Sequence, residues 1–511
     1  MPNRMTKETI ELLNKAKAEG QISVDDLFKA WSQSGGGAAG GVGLVNFDLQ
    51  RPAKNLFPVL SPLRNTIPRV QGNGGISTDW KAVTDINVNR LNIGVSEGRR
   101  GRVMDTMTVE KNAKYRGIGL EDTVTFESTY ADDGFDDVLA KAVTNLLSSV
   151  MVAEEQVILG GNNESGAIGQ YTGAISSATV ADAAGTITGD VHVRIAALTH
   201  EGFYYGQDGG QLRVRGKQSL TNAAGNTEDD FGGGTGQISA ATQVETGMSA
   251  GNRIDVSWEP HPRAAGYAVF WGSSAASLAL GAVVGDSTVS ILADAAGTQN
   301  HDDADLDIVS NDWSVNGLVF DGYLSDLTLP GSGAYYKQVP AGEQLVGDGA
   351  GIGQIDEALR WFWNVRKLSP QEIWVSAREL ENITNLIVTN QNGAAYHFTL
   401  DGANPATSKR EIMAGTVVVS YLNKFTKGGA IPIMLHPTLP EGTILFRSTS
   451  IPYANNNVPR PSEIRYRREY YQTEWPRRER VYEYGVYADE VLVNYAPFAF
   501  GVISNLADGI A

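Results

Sequence analysis

Gly94, Val95, Ser96, Glu97 and Gly98 satisfy G-x-S-x-G, the spacing that bares a serine nucleophile on a sharp strand-to-helix turn. That chemistry needs a buried strand before the serine and a helix after it. Arg99, Arg100, Gly101 and Arg102 follow instead, so the match reads as chance. The six histidines, His192, His200, His261, His301, His397 and His436, never stand as H-x-x-H or H-E-x-x-H, so zinc-ligand spacing does not arise. Asp302, Asp303, Asp305 and Asp307 gather four carboxylates in NHDDADLD, but without the glycine and distal glutamate of a calcium loop they read as a solvated turn. The glycines of GDGAGIGQ at 347–354 lack the lysine of a phosphate-binding loop and read as a turn into a helix at 354. No cysteine is present, which removes thiolate nucleophiles, thiolate metal sites and disulfides. The expectation is a protein that is not an enzyme, with no cofactor and no metal.

Charge narrows the classes further. The 511 residues carry 41 Lys plus Arg against 58 Asp plus Glu, a net charge of −17, so the chain cannot grip phosphates by bulk charge. No apolar run approaches the roughly 20 residues that cross a bilayer, and the opening MPNRMTKETI lacks the apolar core of a signal peptide. The expectation is a chain kept in cytosol-like water. With 42% apolar residues and a length of about three ordinary domains, real cores are expected.

The elements follow from periodicity. Residues 1–34 carry helical spacing at Ile10, Leu13 and Ala16, then Ile22, Leu27 and Trp31, before the Gly-rich arm GGGAAGGVG at 35–43. Residues 85–120 have half-alternating segments on either side of SEGRRGR and predict a long hairpin. Phe135, Val138, Leu139, Ala142, Val143, Leu146, Leu147, Val150 and Met151 repeat at three and four, predicting the chain's best helix over 133–160. Asp132, Asp133, Asp136 and Asp137 crowd its start, and Gly160 and Gly161 end it. Between 172 and 306 period-two strands appear: VHVRIAAL sets Val191, Val193 and Ile195 against His192 and Arg194, and IDVSW does the same with Ile254, Val256 and Trp258. Beyond it, Ile355, Leu359, Phe362 and Leu368 mark a helix stopped by Pro370, then the strand EIWVS and a helix through Leu380, Ile383 and Ile387. The fold class is α+β with a separate all-β module.

This order of elements resembles the major capsid protein of tailed phages, the Hong Kong 97-type fold. Three stretches carry the resemblance: GFDDVLAKAVTNLLSSVMVAEEQVILGG for a spine helix, GIGQIDEALRWFWNVRKLSPQEIWVSA for the start of an axial domain, and EGTILFRSTSIPYANNNVPRPSEIRYRREYYQTEWPRRERVYEYGVY for late peripheral-domain strands. RIDVSWEPHPRAAGYAVFWGSS resembles the opening strands of fibronectin type III and immunoglobulin-like domains, with Trp258 and Tyr267 packing between sheets. The resemblance implies an N-terminal segment and arm (1–56), then a peripheral domain (57–171) with extended hairpin and spine helix, and an inserted immunoglobulin-like sandwich (172–306). An axial domain (307–440), peripheral return strands (441–484) and an axial C-terminus (485–511) complete it.

The function so implied is a shell subunit that assembles with itself as hexamers and pentamers around phage double-stranded DNA. Scaffold, portal and decoration proteins are the further partners, no membrane is involved, and the location is the virion after assembly in the host bacterial cytoplasm. Candidate interface residues are Arg99, Arg100 and Arg102 at the hairpin tip, facing a neighbour's Asp132, Asp133, Asp136 and Asp137. Seven Arg and four Glu interleave at 460–480, and Arg465, Arg467, Arg468 and Glu469 are expected to pair across subunits rather than bind nucleic acid. An encapsulin-like compartment shell is one alternative. Another is a carbohydrate-binding protein using Tyr204 and Tyr205, with Trp258 and Tyr267 then read as core. Covalent cross-links are not expected, because arginines rather than lysines stand at the tip.

Overall fold

The structure, a computed structural model, describes residues 14–15, 56–86, 93–101, 103–131, 137–207, 212–221, 225, 230–347, 351–389, 418–426, 429–453, 456–477 and 479–509. The chain divides into two units, 1–57 with 130–137, and 58–129 with 138–511. Most of the first, including the expected helices of 1–34, the Gly-rich arm and Asp132, Asp133 and Asp136, lies outside the described residues.

The second unit opens with α1 (Pro62–Thr66), β1 (Arg69–Gln71), β2 (Ser77–Ile86), β3 (Thr106–Lys114) and β4 (Arg116–Thr125), and α2 (Phe126–Ala131) follows. Next come α3 (Val138–Gly160), β5 (Ile175–Ala181), β6 (Gly189–Leu198), α4 (His200–Gln207), β7 (Lys217–Gln218) and β8 (Phe231–Gly232). β9 (Thr242–Met248), β10 (Asn252–Trp258), β11 (Gly266–Ser274), β12 (Ser277–Val284) and β13 (Thr288–Ile291) complete the module. The remainder holds α5 (Tyr323–Leu327), β14 (Tyr335–Gln338), α6 (Gly353–Trp361), β15 (Glu372–Val375), α7 (Ala377–Thr389), β16 (Ser420–Asn423), β17 (Gly429–Leu435), β18 (Ile444–Arg447), β19 (Ser462–Glu474), β20 (Val481–Asn494) and β21 (Gly501–Ser504). The chain is mixed α+β.

α3 starts at Val138, after Asp137, rather than at 133. Its stripe does what the spacing requires: Leu146 and Val150 are buried against Val124, Tyr484 and Val486, with Leu139, Ala142, Val143 and Leu147 alongside. The opposing surface is a four-stranded sheet in the order β1-β19-β20-β4, in which β1 runs parallel to β19. The last turn of α3 enters the main core through Ile158 and Leu159. By length and composition α3 could cross a membrane. Its Glu154 and Glu155, however, are buried in a folded polar network, which is how a helix of a packed domain behaves.

The main core lies on a six-stranded mixed sheet in the order β14-β21-β18-β15-β17-β16. Ile355, Leu359, Phe362 and Leu368 are all buried in it. α6 passes into a π-helical turn at Phe362–Arg366 and stops at Lys367, whose φ of 55° is left-handed. The stop therefore precedes Pro370.

The hairpin differs from its expected limits of 85–120. β2 pairs with β3 from Ser77 opposite Lys114 to Ile86 opposite Thr106. Tyr115 then turns inward, 6% exposed, and β4 leaves the ribbon to pair with β20. One buried aromatic thus separates the ribbon from the sheet.

The module consists of a three-stranded sheet (β13-β10-β5) and a four-stranded sheet (β12-β11-β6-β9). Ile254, Val256 and Trp258 of the first and Val193, Ile195, Tyr267 and Val269 of the second share one core. Trp258 and Tyr267 meet edge-on with centroids 5.4 Å apart. IDVSW and GYAVFW are the fourth and fifth of the seven strands rather than the opening pair, because β5, β6 and β9 precede them. The outer face of β6 and β11 is covered too, by Phe203 of α4 with Val214, Ile238, Leu306 and Ile308.

The chain enters and leaves this module at one place. Gly322 N–H donates to the Gly161 carbonyl at 2.8 Å, and Asn316 N–H to that of Asn162 at 2.8 Å. Arg263, at φ 67°, sends its guanidinium to Asn162 Oδ1 at 3.0 Å and to the carbonyls of Gly166 and Ala167. Asn505 donates to Ser287 Oγ at 2.8 Å, and the Gln338 amide to the His261 carbonyl at 2.6 Å. Polar struts on several sides hold the module against the rest of the unit.

Candidate assembly surfaces

The hairpin exposes a run of large apolar side chains. Val83, Met107, Ile93, Val103 and Met104 are all more than half exposed, Val103 at 92%. At its base the ribbon rests on the main core through Trp80, edge-on to Tyr495 at 5.4 Å; farther out, two strands alone expose both faces, and no described residue buries Val83 or Met107. At the tip, Gly98 takes a φ of +70° in a turn closed by Arg99 N–H on the Ser96 carbonyl at 3.0 Å. Ser96 therefore sits on an exposed turn with neither the preceding strand nor the following helix of an elbow. Arg99 and Arg100 are exposed and make no ion pair with described residues of their unit; Arg102, Asp132, Asp133 and Asp136 lie outside the described residues, and Asp137 immediately precedes α3.

The charges of β19 have partners within the chain. Arg465 Nε bonds Glu463 Oε1 at 2.8 Å. Arg467 reaches Asp489 on β20 at 2.8 Å and the Gly75 carbonyl at 3.0 Å. The Arg468 guanidinium lies 3.8 Å over the Tyr471 ring, and Glu469 stands 3.7 Å from Arg69. The partners seen here lie within the chain: in β19 itself, on β20 and β1, and at the Gly75 carbonyl.

Sequence reasoning passed over the strongest polar cluster. Glu154 and Glu155 are each 1% exposed, and successive helical positions diverge by about 100°, so the two carboxylates serve different elements. Glu154 accepts from Arg69 Nη1 at 2.5 Å and Arg64 Nε at 2.6 Å, and also from the Tyr470 hydroxyl. Glu155 accepts the backbone N–H groups of Leu63 at 2.8 Å and Arg64 at 2.6 Å, and meets His436 Nε2 at 2.7 Å. The available signal was a pair of acids inside the apolar run VMVAEEQVILG, since buried carboxylates require partners.

A second buried polar group lies in α4. His200 Nε2 stands 2.7 Å from the Thr438 carbonyl, and burial pulls its pKa down to about 4. Burial pushes the neighbouring Glu201 up to about 7, against hydrogen bonds from Asn316 and the charge of Arg215. Tyr204 packs on His200, and Arg215 covers the Tyr205 ring at 3.8 Å. These tyrosines are half-buried and engaged rather than displayed as a sugar platform. Asp303 closes its turn by accepting from Asn300 N–H at 2.8 Å.

No family model and no curated protein matches the chain. Among solved structures it is similar to the capsid of a native GTA particle, at 8% identity and TM-score 0.42, covering 93% of this chain and 100% of that one. It is similar to the capsid of cyanophage A-1(L), at 10% identity and TM-score 0.41, covering 91% and 97%. It is also similar to the holo-SrpI encapsulin complex of Synechococcus elongatus PCC 7942, at 8% identity and TM-score 0.38, covering 91% and 93%. At these levels the likeness is one of chain path.

Proposed function

We propose that this chain is a major capsid subunit that assembles with copies of itself, as hexamers and pentamers, into an icosahedral head enclosing phage DNA, without catalysis. The observation that carries this reading is the hairpin, whose Val83 and Met107 on the β2–β3 ribbon and Val103 and Met104 beyond β3 are uncovered by described residues and would gain burial against another molecule. The Arg tip then docks on a neighbour's acidic helix start, and Arg465, Arg467, Arg468 and Glu469 lie toward adjoining copies. The module is read as an immunoglobulin-like sandwich displayed on the outer face, a reading supported by its three-plus-four strands around Trp258. Scaffold, portal and decoration proteins are its further partners, and assembly takes place in the host cytoplasm.

Sedimentation velocity of the expressed chain tests this. Large closed particles are expected from wild type, and dispersed folded subunits from Val83→Ser with Met107→Ser. Particles that form equally well with both apolar contacts removed would overturn the role given to the ribbon. Purified particles that enclose protein cargo and no nucleic acid would move the reading to an encapsulin-like compartment.

A further inference from the structure

The segment 61–71 leads from the N-terminal stretch into the body of the second unit, and it is held there by a polar cluster drawn from five elements. α1 supplies Arg64, β1 Arg69, α3 Glu154, β19 Tyr470 and Glu469, and β20 Glu490. Glu154 and Glu490 are 1% and 0% exposed and are gathered on the same guanidinium. Arg69 bridges them, one guanidinium nitrogen on each. Glu490 Oε1 is buried with no partner, and so is Arg69 Nε as a hydrogen-bond donor. In the sheet Glu490 stands opposite Tyr466 of β19 and Arg116 of β4, and Arg116 is directed to Glu164 at 3.9 Å. His436 sits on Glu155 rather than on this pair.

Two carboxylates buried on one guanidinium cannot both be ionised cheaply out of water, whereas one proton held by the pair removes the repulsion between them. Arg69 is shared between two acids, and Arg64 is committed to Glu154 and the Tyr470 hydroxyl. Burial first, and the facing Glu154 charge second, push Glu490 up to about 8, with Arg69 opposing. For Arg69 burial works against the charge, but Glu490 and Glu154 together outweigh it and raise its pKa. The arginine is thus secured by two acids; Arg64 compensates Glu154, and the shortfall rests on Glu490, which has only its share of Arg69 and one buried oxygen without a partner.

We propose that Glu154 and Glu490 form a proton-sharing carboxyl pair that latches segment 61–71 onto the spine helix, and that the latch loosens when the shared proton is lost at alkaline pH. The root of the N-terminal stretch is then held tightly in mildly acidic and neutral medium and released as pH rises. The device is independent of whether the chain builds shells.

Hydrogen exchange of the full chain, followed by mass spectrometry and corrected for intrinsic rates, tests the latch. Peptides covering 61–71 are expected to lose roughly tenfold in protection between pH 6.5 and 9.5 in wild type, while peptides from β15 do not. Glu490→Gln, which cannot ionise, is expected to retain protection at pH 9.5. A wild-type profile flat across that range overturns the proposal, as does Glu490→Gln loosening with the wild-type pH profile. Should the variant fail to fold, the wild-type profile alone decides, together with the infrared band of a protonated carboxyl: its persistence above pH 9.5 refutes the latch.

Discussion

Removing the Glu155 carboxylate should unfasten α1 while leaving both sheets intact. α1 starts with Pro62, whose missing N–H costs nothing there, and Ser61 provides no side-chain cap. The cap comes from another helix: Glu155 accepts Leu63 N–H at 2.8 Å and Arg64 N–H at 2.6 Å, a carboxylate at a helix N-terminus supplied from 92 residues away. In Glu155→Ala these two amides and His436 Nε2 lose their acceptor in a buried place. Each unpaired donor costs about 1–3 kcal/mol, and breaking a buried pair on one side costs about 3–5 kcal/mol, so a loss near 4 kcal/mol is expected. Glu155→Gln keeps one carbonyl oxygen and should lose about half of that. Native-state hydrogen exchange at Leu63 and Arg64 reads the effect, about 4 kcal/mol of local opening being roughly a 700-fold fall in protection. Equal losses in Ala and Gln variants, or less than about 1 kcal/mol in both, would refute the reasoning.

Trp258→Ala should destabilise the module by about 3–5 kcal/mol, seen as an earlier thermal transition and increased exchange in β6 and β11. Glu201, at about 7 in the folded state against an ordinary 4.5, binds more protons folded than unfolded between those values. Its contribution is therefore fully present below about 4.5 and is lost as pH rises to about 7, on the order of 3 kcal/mol; Glu201→Gln should flatten that slope in urea titrations. His200 acts in the other direction, its contribution present above about 6.5 and lost as pH falls toward 4. Arg99→Glu, Arg100→Glu and Arg102→Glu together should block assembly of a folded subunit, with Asp136→Lys and Asp137→Lys partly restoring it in sedimentation.

What could be read in advance was whatever local periodicity encodes. The α3 stripe and the alternation of Val191, Val193 and Ile195 report burial directly, because each side chain's environment follows from its own spacing. The same holds for Trp258 in IDVSW, whereas Tyr267 as core followed from the resemblance to immunoglobulin-like domains. The hairpin's limits were misplaced because Tyr115 interrupts two strands of similar pattern, and only its burial shows that the ribbon ends there. The polar clusters were illegible for a different reason. Glu155 finds His436 281 residues away, and β1 pairs in parallel with β19 across nearly the whole chain. Such partners are set by the tertiary fold, and spacing carries no trace of them.

The central claim is assembly, and electron microscopy of the purified chain tests it most directly. The account predicts closed shells of regular diameter, with the β2–β3 ribbon of one subunit lying on another and the module outermost. A uniform population of isolated monomers, with Val103 and Met104 open to solvent, would contradict it.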